Sequence, residues 1–205
     1  MTTSEDKLDE KLIDRDPIKQ FEKWFSDARN ANLPLAESMS LATIRIDGKP
    51  AARMVLLKKV DQEGFVFFTN YTSAKARELE ANPNVALVFF WSQLERQVRV
   101  EGRVSKTSVE ESREYFETRP RESQIGAWAS PQSQQISGRE ELEKRQAELE
   151  ETYRDREVPV PDYWGGYRVT PERIEFWKGR IGRLHDRILY ERKADGTWSI
   201  KRLAP

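Results

Sequence analysis

Several groups of residues in this 205-residue chain have the types and spacing to hold a small molecule. The stretch Trp177-Lys178-Gly179-Arg180-Ile181-Gly182-Arg183-Leu184-His185-Asp186-Arg187 carries the only histidine, two glycines that permit a tight loop, and many hydrogen-bond donors. It suits an anionic or redox-active guest, although an ordinary paired histidine fits the same residues. Tyr115 and Arg119 stand four apart, on one helix face. The Arg119-Pro120 break lets the hydroxyl of Ser123 turn back toward them. A phenol, a guanidinium and a hydroxyl suit a phosphate dianion, and equally a helix-end ion pair with its cap. Phe68-Thr69-Asn70 feeds Ser73-Ala74-Lys75, a strand end followed by a helix start. Free N–H groups and the helix dipole favour phosphate there, and plain capping by Ser73 uses the same atoms. Arg53-Met54-Val55-Leu56-Leu57-Lys58 has a cation at each end of an apolar step, either a floor for a flat ligand or a strand with solvated ends. Gln132-Ser133, in a polar loop, is non-specific alone.

The elements that position these residues are legible from pattern. Asp16 and Pro17 open a helix whose apolar face is Ile18, Phe21, Trp24, Phe25 and Ala28, ending at Asn32-Leu33-Pro34. Ser40 to Ile46 reads as a strand, Asp47-Gly48 as a hairpin turn, and the return strand runs to about Lys58. Alternation places Arg53, Val55 and Leu57 on one face and Lys58 on the other. A turn at Asp61 to Gly64 leads to strand Phe65 to Asn70, then a helix from Ala74 to Ala81 stopped by Asn82-Pro83. Val85 to Trp91 and Gln97 to Val104 are strands. Thr107 or Ser108 with Glu110 and Glu111 starts a helix to Arg119, and Ser123 to Trp128 forms a short helical piece. Ser137 with Glu140 opens a charged helix to about Arg154 with a thin stripe of Leu142, Leu149 and Tyr153. Val158 to Pro161 is an extended linker, and four strand-like segments follow around Tyr167, Ile174, Ile188 and Ile200, with a turn at Asp195-Gly196. Strands joined by short turns predict a mainly β, antiparallel barrel or sheet with flanking helices, an α+β fold.

Composition narrows the function. Lys plus Arg and Asp plus Glu are both 35, so no basic field points to nucleic acid or a membrane. No apolar run approaches the roughly 20 residues that span a bilayer, and the polar start is unlike a secretory leader, so the cytoplasm is the expected location. The absence of cysteine removes disulfides and thiolate chemistry, and a single histidine removes a His-rich metal site. Residues 1–16 are expected to be a flexible arm and residues 17–205 a single domain.

Taken in order, Arg53-Met54-Val55-Leu56-Leu57-Lys58, Phe68-Thr69-Asn70, Leu94-Glu95-Arg96-Gln97-Val98, Arg119 through Trp128, Trp164-Gly165-Gly166 and Arg183-Leu184-His185-Asp186-Arg187 closely resemble the pyridoxine/pyridoxamine 5′-phosphate oxidase family. The likeness covers roughly Pro17 to Pro205. It implies an FMN-binding split β-barrel homodimer with FMN at the subunit interface. It further implies oxidation of pyridoxamine or pyridoxine 5′-phosphate to pyridoxal 5′-phosphate, with O2 reduced to H2O2. By the same resemblance Arg53, Met54, Val55, Leu56, Leu57, Lys58, Phe68, Thr69, Lys75, Gln97, Gln132, Ser133, Trp177 and Arg187 look like FMN contacts. Lys58, Tyr115, Arg119, Ser123, Arg183, Leu184 and His185 look like substrate contacts, the first four at its phosphate, with Arg183 and His185 orienting the reacting C4′ carbon. No metal is implied. Rival expectations are a flavoenzyme of the same barrel acting on another substrate, such as the phenazine-pathway relatives, and a non-catalytic FMN or pyridoxal-phosphate binder.

Two departures stand out. No tyrosine precedes Tyr71, which puts an N-terminal lid in doubt, and Ala74 stands where many relatives carry arginine. A charge-assisted hydrogen bond contributes about 1.5–3 kcal/mol, roughly 10–100-fold in affinity. Titration of apoprotein with FMN should therefore show Ala74→Arg binding tighter than the parent by that order; equal affinities refute it.

Overall fold

The computed structural model describes residues 8–205, and its first regular element is α1 (Pro17–Asn30). Asp16 opens it as expected, its carboxylate accepting from the Ile18 N–H at 2.9 Å. The strands are β1 (Ser38–Ile44), β2 (Pro50–Leu56), β3 (Lys59–Asp61), β4 (Gly64–Asn70), β5 (Asn84–Trp91), β6 (Arg96–Lys106), β7 (Trp164–Lys178), β8 (Asp186–Arg192) and β9 (Trp198–Arg202). Between them lie α2 (Ala74–Ala81), α3 (Val109–Glu117), α4 (Arg121–Ala129) and α5 (Arg139–Thr152). All pairings are antiparallel, in the order β2-β1-β5-β6-β7-β4-β3, with β8 on β7 and β9 on β8. The sheet curls into a half-barrel with flanking helices, as the pattern of strands and turns predicted.

The curl encloses an aromatic core. Phe21 of α1 sits 4.9 Å from both Phe65 and Phe89, and Trp24 meets Phe176 edge-on at 5.2 Å. A smaller cluster of Phe116, Ile125, Val158 and Trp164 holds α3 and α4 to the start of β7. Leu149 and Tyr153 dock α5 against that cluster, and no residue of α5 is fully buried.

Several local expectations shift. The return strand ends at Leu56, because the chain changes partners at a corner: Leu57 N–H bonds Glu37 O, whereas Lys58 N–H bonds Val66 O on β4. The segments around Tyr167 and Ile174 are one continuous strand, β7, so three strands close the chain. Pro171 interrupts neither, since the register with β6 shifts between Glu101 and Gly102 and absorbs the missing N–H in a bulge. A Cβ on Gly102 would lie 2.1 Å from Thr170 O, so the close approach there requires glycine. Helix α4 starts at Arg121, which places Ser123 within its first turn.

The expected free arm is partly docked. Residues 1–7 fall outside the described residues, but Leu8 is buried, Arg202 bonds Leu8 O and both oxygens of Glu10, and the Tyr190 hydroxyl donates to Asp14 O at 2.7 Å. Hydrogen bonds from Arg202 push the Glu10 carboxyl down to about 2. Among the described residues no helix is long and apolar enough to cross a membrane.

Phe21 is fully buried and touches four other rings, so truncation leaves a large void. Phe21→Ala should cost about 3–5 kcal/mol and lower Tm by roughly 6–20 °C in calorimetry. A smaller shift would mean that α1 is not anchored through this ring.

Candidate active site

A cavity of about 580 Å³ opens between β2, β4, α3 and α4. Its aromatic wall is a stack: Phe68 lies 4.1 Å from Tyr115 and 5.3 Å from Trp164, nearly parallel to both. Met54, Val55 and Leu56 line another side, and Lys58, Lys75 and Arg119 supply three cations. No Asp or Glu is among the lining residues. Ser123, Thr118, Ser130 and Thr69 add hydroxyls.

The cations are poorly compensated. Arg119 rests over the Trp164 ring at 4.8 Å, and its buried Nη1 has no hydrogen-bond partner. Burial pushes its guanidinium below the ordinary value. Lys75 Nζ donates to Gln132 Oε1 at 2.7 Å and Thr69 Oγ1 at 3.1 Å, both neutral. Burial, then the nearby charge of Arg53, pushes Lys75 down as well. A buried donor without an acceptor is costly unless a guest supplies one. The cavity is built for an anion.

Ser73 caps α2, accepting from Ala76 N–H, and so aims the helix start and Lys75 at this space. Arg53 faces away from the cavity lining: it donates to Thr43 Oγ1 and, at 2.6 Å, to Glu78 Oε2. Burial opposes the Glu78 charge, but hydrogen bonds from Thr43 and Arg53 outweigh it and hold the carboxyl below its ordinary value.

A second cluster sits at the other end of β7. Cross-strand register aligns Phe90, Gln97, Trp177 and Arg187 in one row over β5, β6, β7 and β8. Arg187 is clamped by both oxygens of Glu175, at 2.8 and 3.1 Å. The His185 ring packs on Trp177 at 4.7 Å. The loop between β7 and β8 contains Gly182 at φ 71 and Arg183 at φ 61, two successive left-handed residues, the second of which is strained without glycine. Leu184 is exposed beside them.

The structure therefore divides the expected site residues. Met54, Val55, Leu56, Lys58, Phe68, Thr69, Lys75, Tyr115, Arg119, Ser123 and Gln132 line the cavity. Gln97, Trp177, Arg183, Leu184, His185 and Arg187 do not. Trp164 lines the cavity and Trp177 holds the far cluster, thirteen residues along one strand, or roughly 40 Å at 3.3 Å each. One chain does not bring the two clusters together. The Leu57 side chain is in the hydrophobic core, so it offers a ligand no side-chain surface, and Ser133, at φ 69, lies just outside the lining. Trp164 was visible in the sequence only as part of a motif, and its role as a cavity wall follows from the glycines after it. A Cβ on Gly165 or Gly166 would strike Tyr71 or Thr107, so their absence lets α3 close over the strand. Glu78 was missed; its signal was an acid one turn beyond Lys75 on a helix facing Arg53.

Comparison with known proteins follows this division. Residues 25–153 match the family model described as pyridoxamine 5′-phosphate oxidase, and residues 164–205 match the pyridoxine 5′-phosphate oxidase C-terminal dimerisation region. The chain belongs to the pyridoxine/pyridoxamine 5′-phosphate oxidase family. A pyridoxine/pyridoxamine 5′-phosphate oxidase of Rubrobacter xylanophilus is 59% identical over 97% of this chain and 91% of its own. One from Paraburkholderia phytofirmans is 56% identical over 97% and 93%. Among solved structures, PhzG from Burkholderia lata, in complex with tetrahydrophenazine-1-carboxylic acid, superposes with a TM-score of 0.91 at 27% identity, covering 100% of this chain and 98% of that one. A pyridoxamine 5′-phosphate oxidase-related, FMN-binding protein from Nostoc punctiforme shares the fold, with a TM-score of 0.73 at 18% identity over 90% and 97%. FMN is the cofactor of this family member. The residues fit a phosphorylated flavin: an acid-free cavity, an orphaned guanidinium and flat aromatic and aliphatic walls.

Arg119 separates a structural from a ligand role. If its charge serves a guest, Arg119→Met should leave the Tm of ligand-free protein unchanged or raised, because an unpaired, desolvated cation is removed. Inorganic phosphate should then stabilise the parent more than the variant. A Tm loss of several degrees in the variant would instead mark the guanidinium as part of the fold.

Proposed function

We propose that the protein oxidises pyridoxamine or pyridoxine 5′-phosphate to pyridoxal 5′-phosphate. O2 is the final acceptor and yields H2O2; the amine substrate also takes up water and releases ammonia. The reading rests on the cavity with three cations, no acid and an unanswered Arg119. Lys58, Tyr115, Arg119 and Ser123 hold the substrate phosphate. Lys75, Thr69, Gln132 and Ser133 serve the flavin phosphate and chain, and Met54, Val55, Leu56 and Phe68 support the ring system, while Arg53 acts through its ion pair with Glu78. Both guests carry phosphates near −2, which accounts for two groups of cations and hydroxyls.

Gln97, Trp177 and Arg187, with Arg183, Leu184 and His185, lie too far along β7 to reach the same flavin, so a second copy of the chain supplies them. The protein works as a homodimer with FMN between subunits. The exposed Met54, Phe90, Ile181 and Leu184 are apolar surface that such an interface covers. The chemistry drawn from the cofactor is acceptance of a hydride from C4′ and return of the electrons to O2. The chain's residues anchor the phosphate, stack the rings and hold C4′ in line. Arg183 and His185 orient the C4′ substituent.

The PhzG likeness favours a second reading, a phenazine-type substrate in place of the phosphorylated pyridine. The phosphate cluster of Lys58, Tyr115, Arg119 and Ser123 weighs against it. Anaerobic mixing of purified holoprotein with pyridoxamine 5′-phosphate decides. The flavin absorbance should bleach and return when O2 is admitted. Bleaching only with a reduced phenazine acid would support the second reading, and no bleaching with either would leave a binder.

A further inference from the structure

The only histidine is held by a backbone amide. Arg180 N–H donates to His185 Nδ1 at 3.0 Å, so that nitrogen presents a lone pair and the ring proton of the neutral imidazole resides on Nε2. Nε2 has no hydrogen-bond partner among the described residues, leaving its N–H available to a guest. A flip of the ring would forfeit this bond, while the 4.7 Å contact with Trp177 holds the ring plane in place.

Arg180 is itself braced. Its Nε donates to Asp186 Oδ2 at 2.6 Å, while Asp186 Oδ1 accepts from Arg202 at 2.9 Å. Arg202 in turn holds Glu10. Both arginines are positioned by one carboxylate at the first residue of β8, adjacent to the histidine. Burial opposes the Asp186 charge, yet the hydrogen bonds from the two arginines hold its carboxyl below the ordinary value. The brace is therefore charged at neutral pH. It spans a loop whose backbone is strained at Arg183, and the turn is held at its two ends by Gly179 N–H to Glu95 O, at 2.7 Å, and by this ion pair.

We infer that Arg180, braced by Asp186, is a positioning residue that locks His185 in the Nε2–H tautomer, so that the histidine meets its guest as a hydrogen-bond donor rather than a base. The catalytic consequence rests on the oxidase reading above; the tautomer itself does not.

Because the chain has a single histidine, a nitrogen-15 correlation spectrum of histidine-labelled holoprotein contains one imidazole. It should show Nε2 protonated and Nδ1 bare at neutral pH. A protonated Nδ1, or a rapidly averaged mixture, overturns the lock. Arg180→Met keeps the backbone amide but removes the brace, and should convert the single tautomer into a mixture with FMN content preserved; Arg180→Lys should restore it in part. An unchanged spectrum in Arg180→Met overturns the brace. Turnover adds an independent readout. A glutamine amide reaches the position of Nε2 and an asparagine amide that of Nδ1, so His185→Gln should retain kcat within several-fold while His185→Asn loses tenfold or more. Equal loss in both overturns the donor role. If pyridoxamine phosphate is not a substrate, the spectra still decide the tautomer.

Discussion

β7 has three neighbours to satisfy, and most of the molecule follows from how it does so. From Tyr167 onward it pairs with β6, its first part pairs with β4, and its last part with β8. Every buried backbone donor and acceptor must be matched, so a strand of 15 residues shared by two diverging edges forces the sheet to open and curl. The curl makes the concave side that α1 fills with rings. It also sets the two ends of β7 apart, one under α3 and α4, the other beside the glycine loop.

That separation decides where chemistry can occur. The end at Trp164 has cations that lack counter-charges, whereas at the end at Trp177 most are answered, Arg187 by Glu175 and Arg180 and Arg202 by Asp186, with Arg183 left over. An uncompensated, half-buried cation destabilises a protein unless a ligand returns the lost solvation. The first end therefore suits an anionic guest, and the second presents aromatic and imidazole groups between ion pairs. Trp177, Arg183, His185 and Arg187 of the second end lie within residues 164–205, which match a dimerisation region.

Local elements were legible in the sequence because their signals are local. Asp16-Pro17, the Asp47-Gly48 turn, the Ser73 cap and Asn82-Pro83 each act through a neighbouring backbone atom, and each lies where pattern placed it. Long-range pairing was not legible. Nothing near Lys58 announces that its amide bonds β4, and Pro171 reads as a break until β7 is known to bulge opposite Glu101 and Gly102. The site showed the same division. Tyr115, Arg119 and Ser123 could be grouped because they share one helical hairpin, whereas Lys58 joined them only through the family resemblance. The Glu78 partner of Arg53 joins a helix to a strand 25 residues earlier, and only tertiary structure reveals it.

The loop around His185 shows what such long-range contacts add. From sequence, resemblance gives Arg187 to the flavin and Arg183 and His185 to the substrate, and assigns Arg180 and Asp186 no role. The structure assigns them different work: Asp186 is consumed in holding Arg180 and Arg202, and Arg180 spends its amide on the imidazole. Arg183 alone is left unpaired by a carboxylate in that loop among the described residues, on a left-handed backbone that points to a required direction. A loop with one free cation and one histidine of fixed tautomer can orient a substrate through two donors. A proton acceptor is not among the groups it offers.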